Sequence, residues 1–166
     1  MHQQLTQYLH QHNITYKLHT HPAVFTVAES NIHCKHIPGL RGKNLFLKEK
    51  DKKGRTKNYY LLLMPGAKRC NLNELAKQLA VKKLTFANEQ ELWDYLHLKP
   101  GSVSPFGLIH DAKKVVKLLI DKELWETEIV NFHPNINTAS LELDKENFHM
   151  FIDSLGHDVK ILCLAQ

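Results

Sequence analysis

The stretch KNLFLKEKDKKGRTKNYYLLLM, residues 43–64, decides the fold of this chain. It begins with a strand pattern over 43–49, passes through a charged segment that contains Gly54, and ends in an apolar run over 58–64. Two runs of Leu, Phe and Tyr on either side of a polar, glycine-containing segment are typical of strands joined by a turn. The stretch therefore predicts a β-hairpin.

Around this hairpin, helix and strand patterns follow one another without a regular order. Thr26 with Glu29 three residues later has the spacing of a capping box, and Asp144 and Gly156 mark the two ends of another helix. The predicted helices cover 3–12, a short segment from Val27, about 72–81, 88–96 and 145–155, and the further strands cover 14–19, 114–120, 127–132, 138–143 and 159–164. This order disfavours a doubly wound parallel sheet and predicts a mixed α/β (α+β) fold, with one domain over 1–166.

The bulk composition is that of a mildly basic globular protein. Lysine and arginine total 22 against 17 acidic residues, which gives a net charge of +5 and a pI of about 9.1. This charge is compatible with a nucleic-acid partner but is also common in proteins that have none. The N-terminus has no apolar signal segment, no apolar run is long enough to span a bilayer, and the three cysteines form no CxxC pair. We therefore expect a cytoplasmic protein with reduced thiols and no membrane contact.

Several catalytic motifs are missing from the sequence. There is no GxSxG, GxxxxGK[ST], HExxH or GxGxxG segment, which argues against serine hydrolases, P-loop nucleotide hydrolases and dinucleotide-binding enzymes. Two histidine clusters, His19 with His21 and His33-Cys34 with His36, leave metal binding open. Neither cluster has a complete ligand spacing, so no metal and no cofactor are expected.

Three loops carry residue types that suit a binding site. The segment HPAVFT, residues 21–26, is a rigid entry into the capped helix, and the segment 39–46 brings Arg41 and Lys43 into a strand. In the third loop, 99–107, the glycine at 101 permits positive φ, while the proline at 105 fixes φ and removes a donor. Such a loop can point backbone groups at a ligand, although a tight connection between two elements has the same composition.

Two single side chains are candidates for chemistry. Lys43 begins an apolar strand, where its compact charge would suit a phosphate or a developing oxyanion. An ordinary lysine at a strand edge is the alternative. His133 precedes Pro134 and is therefore extended. Its ring could accept a proton or orient a substrate, and a structural histidine with satisfied hydrogen bonds is the alternative.

These loops, taken in order, resemble a known family. The matching segments are HPAVFTVAE (21–29), PGLRGKNLFLKEKDKKG (38–54), LTFANEQELWDYLHLKPGSVSPFGLIHD (84–111), NFHPNINTASLEL (131–143) and DSLGH (153–157). They are similar to the YbaK-like editing domains associated with prolyl-tRNA synthetase, and most similar to the free-standing Ala-tRNA(Pro) deacylases called ProXp-ala or PrdX. The resemblance implies a barrel-like mixed sheet surrounded by helices. It also implies hydrolysis of the ester that joins an amino acid to the terminal ribose of a mischarged tRNA.

The resemblance also assigns residues to the site. The family's essential lysine falls on Lys43, its GxxxP loop on the segment from Gly101 to Pro105, and the histidine of its HP pair on His133. Asn44 matches the residue beside the lysine, whereas His110 stands where the family has asparagine.

The mechanism expected from these residues uses water. The chain offers no obvious serine or cysteine nucleophile, so water would attack the ester directly. Lys43 would hold the terminal phosphate or the carbonyl side of the substrate, and backbone groups of 101–105 would hold the ammonium group and the water. His133 would shape or polarise the amino-acid pocket. The expected substrate-binding residues are Val24, Phe25, Thr26, Asn44, Ser102, Pro105 and Phe106, among which Val24, Phe25 and Phe106 are either pocket walls or core.

The expected tRNA contacts come from basic residues near the hairpin. Lys35, Arg41 and Lys48 could contact phosphates of the tRNA, while the basic residues of 50–55 fit a solvated turn better.

The resemblance also explains why such an enzyme is needed. A synthetase pocket made for proline rejects a smaller amino acid by only about 1–3 kcal/mol, so a second, smaller site must remove the amino acids that are attached by mistake.

The expected partner is the acceptor end of mischarged tRNA(Pro), with prolyl-tRNA synthetase as a second candidate, and the chain is expected to be a monomer. Three alternatives remain. They are another mischarged substrate, Cys-tRNA(Pro) or Ser-tRNA, a non-catalytic module that binds tRNA or a synthetase, and a metal-binding protein.

Overall fold

A computed structural model describes residues 1–165 and has a mixed sheet of eight strands with helices packed against it, as the predicted α/β class requires. The strands are β1 (Lys17–Thr20), β2 (Leu40–Lys50), β3 (Thr56–Pro65), β4 (Lys83–Phe86), β5 (Val116–Asp121), β6 (Ile129–Phe132), β7 (Ala139–Asp144) and β8 (Val159–Leu162). The helices are α1 (Gln3–Gln11), α2 (Val27–His33), α3 (Leu72–Gln78), α4 (Glu89–Leu96), α5 (Lys122–Glu126) and α6 (Lys145–Leu155), and a 3₁₀ helix covers Pro105–His110.

The predicted hairpin forms the centre of the sheet. β2 and β3 pair antiparallel from Gly42↔Pro65 to Lys50↔Thr56. The strand order is β1-β7-β6-β2-β3-β5-β8, and β4 is an additional partner of β2. Pairing is parallel between β2 and β6, between β3 and β5, and between β5 and β8. Parallel and antiparallel pairs therefore meet at the hairpin.

The apolar run of β3 is explained by burial on both faces of the sheet. Leu61 and Leu63 belong to a large core that also contains residues of α1, α4, α6 and the 3₁₀ helix. Leu62 and Met64 point to the opposite face and pack in a smaller core together with residues of α3. A strand that is buried on both faces has a continuous apolar sequence instead of an alternating one.

The second edge of β2 is shared by two strands that leave a gap between them. β6 pairs with Leu40 and Arg41, and β4 pairs with β2 only from Leu47 onward. Within the described residues, the segment 42–45 therefore has a strand partner on the β3 side alone. This gap exposes backbone and side chains of β2 near the middle of the sheet, and it positions the site described below.

The helix boundaries confirm the predicted caps. Thr26 and Glu29 form a complete capping box at α2, and α6 begins after Asp144 and ends at Gly156, whose φ of 66° is left-handed. β1 begins at Lys17 instead of residue 14, because Ile14 still bonds to the last turn of α1 through its N–H.

Three elements were not predicted from the sequence. β4 and α5 have four and five residues, which is too short to show a period. The loop 99–111 contains the 3₁₀ helix Pro105–His110, whose first turn is capped by the Ser104 hydroxyl as it accepts from the Phe106 N–H.

Candidate functional site

A pocket of about 480 Å³ opens beside the gap along β2. Its walls come from β2, the turn after β3, the segment that leads into α2, α2 itself, the 101–103 loop and the residue that follows β6. The predicted residues that line it are Val24, Phe25, Thr26, Arg41, Lys43, Asn44, Gly101 and His133. The three loops that the sequence singled out are therefore brought together in one place.

The ammonium of Lys43 is held by a backbone carbonyl and keeps most of its hydrogen-bonding capacity. Its Nζ donates to the carbonyl oxygen of Lys68, just after the pocket residues Gly66 and Ala67. An ammonium has three donors, so two remain for a ligand. None of the ion pairs among the described residues involves Lys43. Its positive charge in the pocket is therefore not neutralised by a carboxylate.

The carbonyl that holds Lys43 belongs to a residue that is itself anchored. The Lys68 ammonium lies 2.9 Å from Asp121 Oδ2 and 2.9 Å from Glu123 Oε2, at the start of α5. Burial lowers the pKa of Lys68, but the hydrogen bonds that its ammonium donates to Glu123 and Asp121 outweigh burial and leave the pKa raised. This three-residue cluster fixes the main chain behind Lys43.

Asn44 ties β2 to the glycine-containing loop. Its Nδ2 donates to the Val103 carbonyl at 2.9 Å, while its Oδ1 is buried and has no partner among the described residues. In that loop Gly101 has φ of 86°, a left-handed conformation that glycine adopts without strain. The loop therefore faces the pocket in a conformation fixed by Asn44 on one side and by the glycine on the other.

Gly42 is required by close packing. A Cβ at this position would lie 2.0 Å from Cε1 of Phe132, which is buried in the large core. Only a glycine lets β2 approach the Phe132 ring this closely. The sequence gives no signal for this contact, because it joins residues that are 90 positions apart.

His133 is a half-buried, neutral ring on the wall of the pocket. Its Nδ1 lies 2.9 Å from the Ala139 carbonyl oxygen. A carbonyl only accepts, so Nδ1 carries the hydrogen and Nε2 keeps its lone pair. Burial lowers the pKa of His133, the charges of His21 and Arg41 lower it further, and the bond to Ala139 acts in the opposite direction. The ring is therefore neutral at neutral pH and offers an acceptor.

The neighbouring His21 uses both of its nitrogens inside the protein. Its Nδ1 lies 2.8 Å from the Pro22 carbonyl and its Nε2 lies 3.0 Å from the Ser140 hydroxyl. The centroid of its ring is 5.8 Å from that of His133. His21 thus supports the wall behind His133 and has no free nitrogen of its own.

The opposite rim of the pocket is the segment that leads into α2. Val24 is buried, whereas Phe25 is 72% exposed. The Glu29 carboxylate accepts from the Phe25 N–H at 2.7 Å and from the Thr26 N–H at 3.0 Å. The bond from Phe25, followed by those from Thr26, holds the pKa of Glu29 below its usual value. The rim is therefore fixed by hydrogen bonds of the main chain.

Arg41 joins β2 to α2 at the mouth of the pocket. One of its terminal nitrogens donates to Asn31 Oδ1 at 2.9 Å. Its Nε is buried and has no partner among the described residues, and the same holds for the Ser30 hydroxyl. Buried polar atoms in native proteins are almost always hydrogen-bonded. Together with Asn44 Oδ1, these atoms give the pocket three polar groups that a ligand could satisfy.

Some of the predicted site residues lie elsewhere. Phe106 is completely buried in the large core, so it is a core residue and not a wall of the pocket. Pro105 is buried beside it. Ser102 does not line the pocket. Instead, its N–H bonds to the Lys99 carbonyl, 3.1 Å away, which makes it part of the turn.

The three predicted tRNA contacts have different environments. Arg41 lines the pocket, and Lys35 is exposed in the turn after α2. Lys48, in contrast, lies 2.8 Å from Glu91 Oε2, and its side chain is only 12% exposed. Its charge is therefore paired with a carboxylate of α4.

The rings of His19 and His36, one from each histidine cluster, lie 6.4 Å apart between their centroids, but the clusters form no metal site among residues 1–165. His19 contacts Glu142 at 2.7 Å, whereas His21 bonds to Ser140. Nowhere in residues 1–165 do three or more His, Cys, Asp or Glu side chains form a group that could hold a metal ion. The part of the chain that the structure describes also has no helix long and apolar enough to cross a bilayer.

Eight pocket residues were missed by reading the sequence. They are Val27, Ser30, Asn31, Leu40, Gly42, Gly66, Ala67 and Val103. Leu40, Gly42 and Val103 lie in the loops that the sequence singled out, whereas Val27, Ser30 and Asn31 lie on α2. Gly66 and Ala67 come from a turn whose only sequence signal was Pro65-Gly66, and this signal marks turns in general.

Residues 21–151 match the family described as the aminoacyl-tRNA editing domain. The chain therefore belongs to the aminoacyl-tRNA editing domain family, and the resemblance to YbaK-like editing domains is confirmed. All three loops of the pocket lie within the matched residues.

Individual relatives agree with this assignment. The chain is 41% identical to the prolyl-tRNA synthetase associated domain-containing protein 1 of Bos taurus, over 86% of this chain and 82% of the relative. It is 34% identical to the prolyl-tRNA editing protein ProX of Acetoanaerobium sticklandii, over 90% of this chain and 88% of the relative. A crystal structure described as a candidate trans-editing enzyme for prolyl tRNA synthetase shares the fold. Its TM-score is 0.68 at 20% identity, over 98% of this chain and 96% of that one.

Proposed function

We propose that this protein is a deacylase that hydrolyses the ester of a mischarged tRNA, and that its main substrate is Ala-tRNA(Pro). The observation that carries the proposal is the arrangement across one pocket of an unneutralised ammonium, Lys43, and a neutral histidine acceptor, His133. Ester hydrolysis needs a positioned water, a proton acceptor and a positive group near the developing oxyanion.

Lys43 stabilises negative charge in this mechanism. One N–H of the Lys43 ammonium donates to the Lys68 carbonyl. The other two donate to the ester carbonyl or to the phosphate of the terminal nucleotide. Water attacks the ester carbon, and the oxygen that becomes negative lies close to this ammonium. A preorganised donor of this kind typically contributes about 100- to 1000-fold in rate.

The remaining polar groups orient the substrate. His133 Nε2 accepts a hydrogen bond from the attacking water or from the ammonium group of the amino acid. Asn44 Oδ1, which has no partner among the described residues, accepts from a hydroxyl of the terminal ribose. As the bond between the acyl carbon and the ribose oxygen breaks, the departing oxygen takes a proton from the attacking water and becomes a hydroxyl, so no protein nucleophile is needed.

Selection of a small amino acid follows from the buried part of the pocket. Val24 is 3% exposed and therefore cannot move easily, and the His133 ring is held by its bond to Ala139. A close-packed wall resists added volume, which discriminates against the larger proline ring. Two relatives carry prolyl-tRNA synthetase or prolyl-tRNA editing in their names, which supports tRNA(Pro) as the carrier.

The acceptor end of the tRNA approaches over the basic rim of the pocket. Arg41 at the mouth and Lys35 beyond α2 contact its phosphates in this proposal. Prolyl-tRNA synthetase is a further candidate partner, because it is named in the description of the bovine relative.

A panel of aminoacylated tRNAs tests the proposed substrate. The purified protein is incubated with Ala-, Cys-, Ser- and Pro-tRNA(Pro) and with serine attached to its cognate tRNA, Ser-tRNA(Ser). The release of labelled amino acid is followed. We expect hydrolysis of Ala-tRNA(Pro) to be faster than that of Pro-tRNA(Pro) by about 100-fold or more, the order needed to correct a 1–3 kcal/mol error. If the Cys or Ser ester is hydrolysed fastest, that amino acid and not alanine is the substrate. If none of the esters is hydrolysed, the protein is a non-catalytic binding module.

A further inference from the structure

An exposed aromatic ring stands at the rim of the pocket. Phe25 is 72% exposed, yet it lines the pocket next to residues that are mostly buried or half-buried. Its ring is not part of any of the three apolar cores of the described residues. An exposed phenylalanine is unremarkable in isolation, but this one has a fixed position beside a reactive site.

The main chain at Phe25 is held without help from the ring. Glu29 accepts from the N–H groups of Phe25 and Thr26, and the Glu29 N–H donates to the Thr26 hydroxyl at 3.1 Å. Three hydrogen bonds therefore fix the segment that carries the ring. A side chain presented on such a base loses little conformational freedom when it binds a ligand.

The loop beside the ring leaves space for a flat group. A Cβ at Gly101 would lie 3.9 Å from Cδ1 of Phe25, which is ordinary van der Waals contact with the edge of the ring. Glycine, which the positive φ at this position favours, keeps that side open. The loop therefore adds no side chain beside Phe25, whose exposed ring leaves room for a flat group at the pocket.

We propose that Phe25 is a stacking platform for the nucleobase of the 3′-terminal adenosine of the tRNA. This inference rests on the proposed function, because the ester that would be hydrolysed is carried by the ribose of that same nucleotide. With the ester at Lys43 and His133, the ribose fills the mouth of the pocket. The base is bonded directly to this ribose and falls at the rim, where Phe25 lies.

Stacking suits this position chemically. Bases stack on aromatic side chains without a need for specific hydrogen bonds, and each stacked base contributes about 5- to 150-fold in affinity. His133 also lines the pocket, but its ring is half-buried and held by the Ala139 carbonyl, so it is not available as a platform. Val27 is 47% exposed and also lines the pocket, but its aliphatic side chain has no aromatic face, whereas Ile32 is 74% exposed and does not line the pocket.

The experiment measures stacking directly. Uncharged tRNA(Pro) is prepared with 2-aminopurine in place of the terminal adenine, because the fluorescence of this base is quenched when it stacks. The wild-type protein, Phe25→Leu, Phe25→Tyr and the control Ile32→Ala are titrated against it. Leucine keeps an apolar side chain but has no aromatic face, and tyrosine keeps the face.

Quenching is expected with the wild type, Phe25→Tyr and Ile32→Ala, and its loss with Phe25→Leu. In parallel, single-turnover hydrolysis of Ala-tRNA(Pro) is expected to need about tenfold more Phe25→Leu protein for half-maximal rate, with the maximal rate changed by less than about threefold. Thermal denaturation checks that each variant is folded.

Two results would overturn the platform. One is quenching by Phe25→Leu equal to that of the wild type. The other is a Phe25→Leu protein with unchanged half-saturation but a changed preference between alanine and proline, which would make Phe25 a wall of the amino-acid pocket. Failure of the proposed function is distinct from both, because the wild type itself would then hydrolyse none of the mischarged tRNAs.

Discussion

The two ends of β2 differ in how their polar groups are satisfied. At residues 47–50 the strand is closed by β4, Lys48 is paired with Glu91, and Glu49 accepts from Asn58 and Tyr60. At residues 42–45 the same edge has no strand partner among the described residues, and Lys43 donates only to a carbonyl. We refer to these as the closed end and the open end of β2.

The difference shows how one strand can serve two purposes. Lys43 and Lys48 are five positions apart, so they point to opposite faces of the sheet. At the closed end the charged side chains are paired within the protein, as buried charges generally must be, and they stabilise the fold. The open end holds polar atoms without partners, Asn44 Oδ1 and the Nε of Arg41, and these are available for a ligand.

The largest effect is expected from removing the lysine of the open end. Lys43→Ala removes the positive charge near the oxyanion and should lower the rate of Ala-tRNA(Pro) hydrolysis by about 100- to 1000-fold. Because Lys43 forms no ion pair in the described structure, the midpoint of thermal unfolding should remain close to that of the wild type. Single-turnover kinetics and thermal denaturation measure the two quantities. Near-normal hydrolysis would remove Lys43 from the mechanism.

The matched change at the closed end should have the opposite outcome. Lys48→Met leaves the mostly buried Glu91 without its cation and should lower the free energy of unfolding by about 1–3 kcal/mol. The rate of hydrolysis at a temperature where the variant is folded should be nearly unchanged. Urea denaturation measures the first effect. A large loss of hydrolysis with normal stability would mean that the two ends do not have separate roles.

A smaller effect is expected from the cluster behind Lys43. Lys68→Met removes the ammonium between Asp121 and Glu123, and the main chain that holds Lys43 becomes less well fixed. We expect about a tenfold loss in kcat/KM, carried by kcat, as expected when a catalytic group is displaced slightly. Glu123→Gln is the milder control, because Asp121 still holds Lys68 in that variant. Equal kcat/KM for Lys68→Met and the wild type would show that the cluster does not position Lys43.

The smallest effect concerns pH. Burial, and then the charges of His21 and Arg41, lower the pKa of His133. The neutral ring therefore persists as pH falls below the ordinary histidine value of about 6.5, and activity that needs Nε2 is lost only at lower pH. The acid limb of the kcat/KM profile should have its midpoint below about 6.5 and should vanish in His133→Gln. An acid limb that persists in that variant belongs to another group.

Local patterns in the sequence predicted the elements better than the pairing between them. The hairpin, the capping box at Thr26 and the helix that ends at Gly156 are fixed by residues close to one another. The gap along β2 depends on where β4 and β6 pair, and β4 is too short to recognise in the sequence.

The same limit applies to the site. The loops that carry Lys43, Gly101 and His133 were predicted from their composition and from the family resemblance, and the structure brings them to one pocket. Which lysine of β2 is free was not predictable, because Glu91 lies 43 residues from Lys48. For Phe106, an aromatic residue in a loop, burial depended on packing against residues as distant as Phe151.

One measurement tests the central claim that the open end of β2 binds the aminoacyl ester. A stable analogue, alanine joined to the 3′ position of adenosine by an amide, is titrated into the isotopically labelled protein, and backbone shifts are followed by NMR. The account predicts saturable shifts at residues 42–45, at Gly101 and at His133, with little change at residues 47–50. Shifts confined to the closed end, or saturable binding that leaves residues 42–45 unaffected, would contradict it.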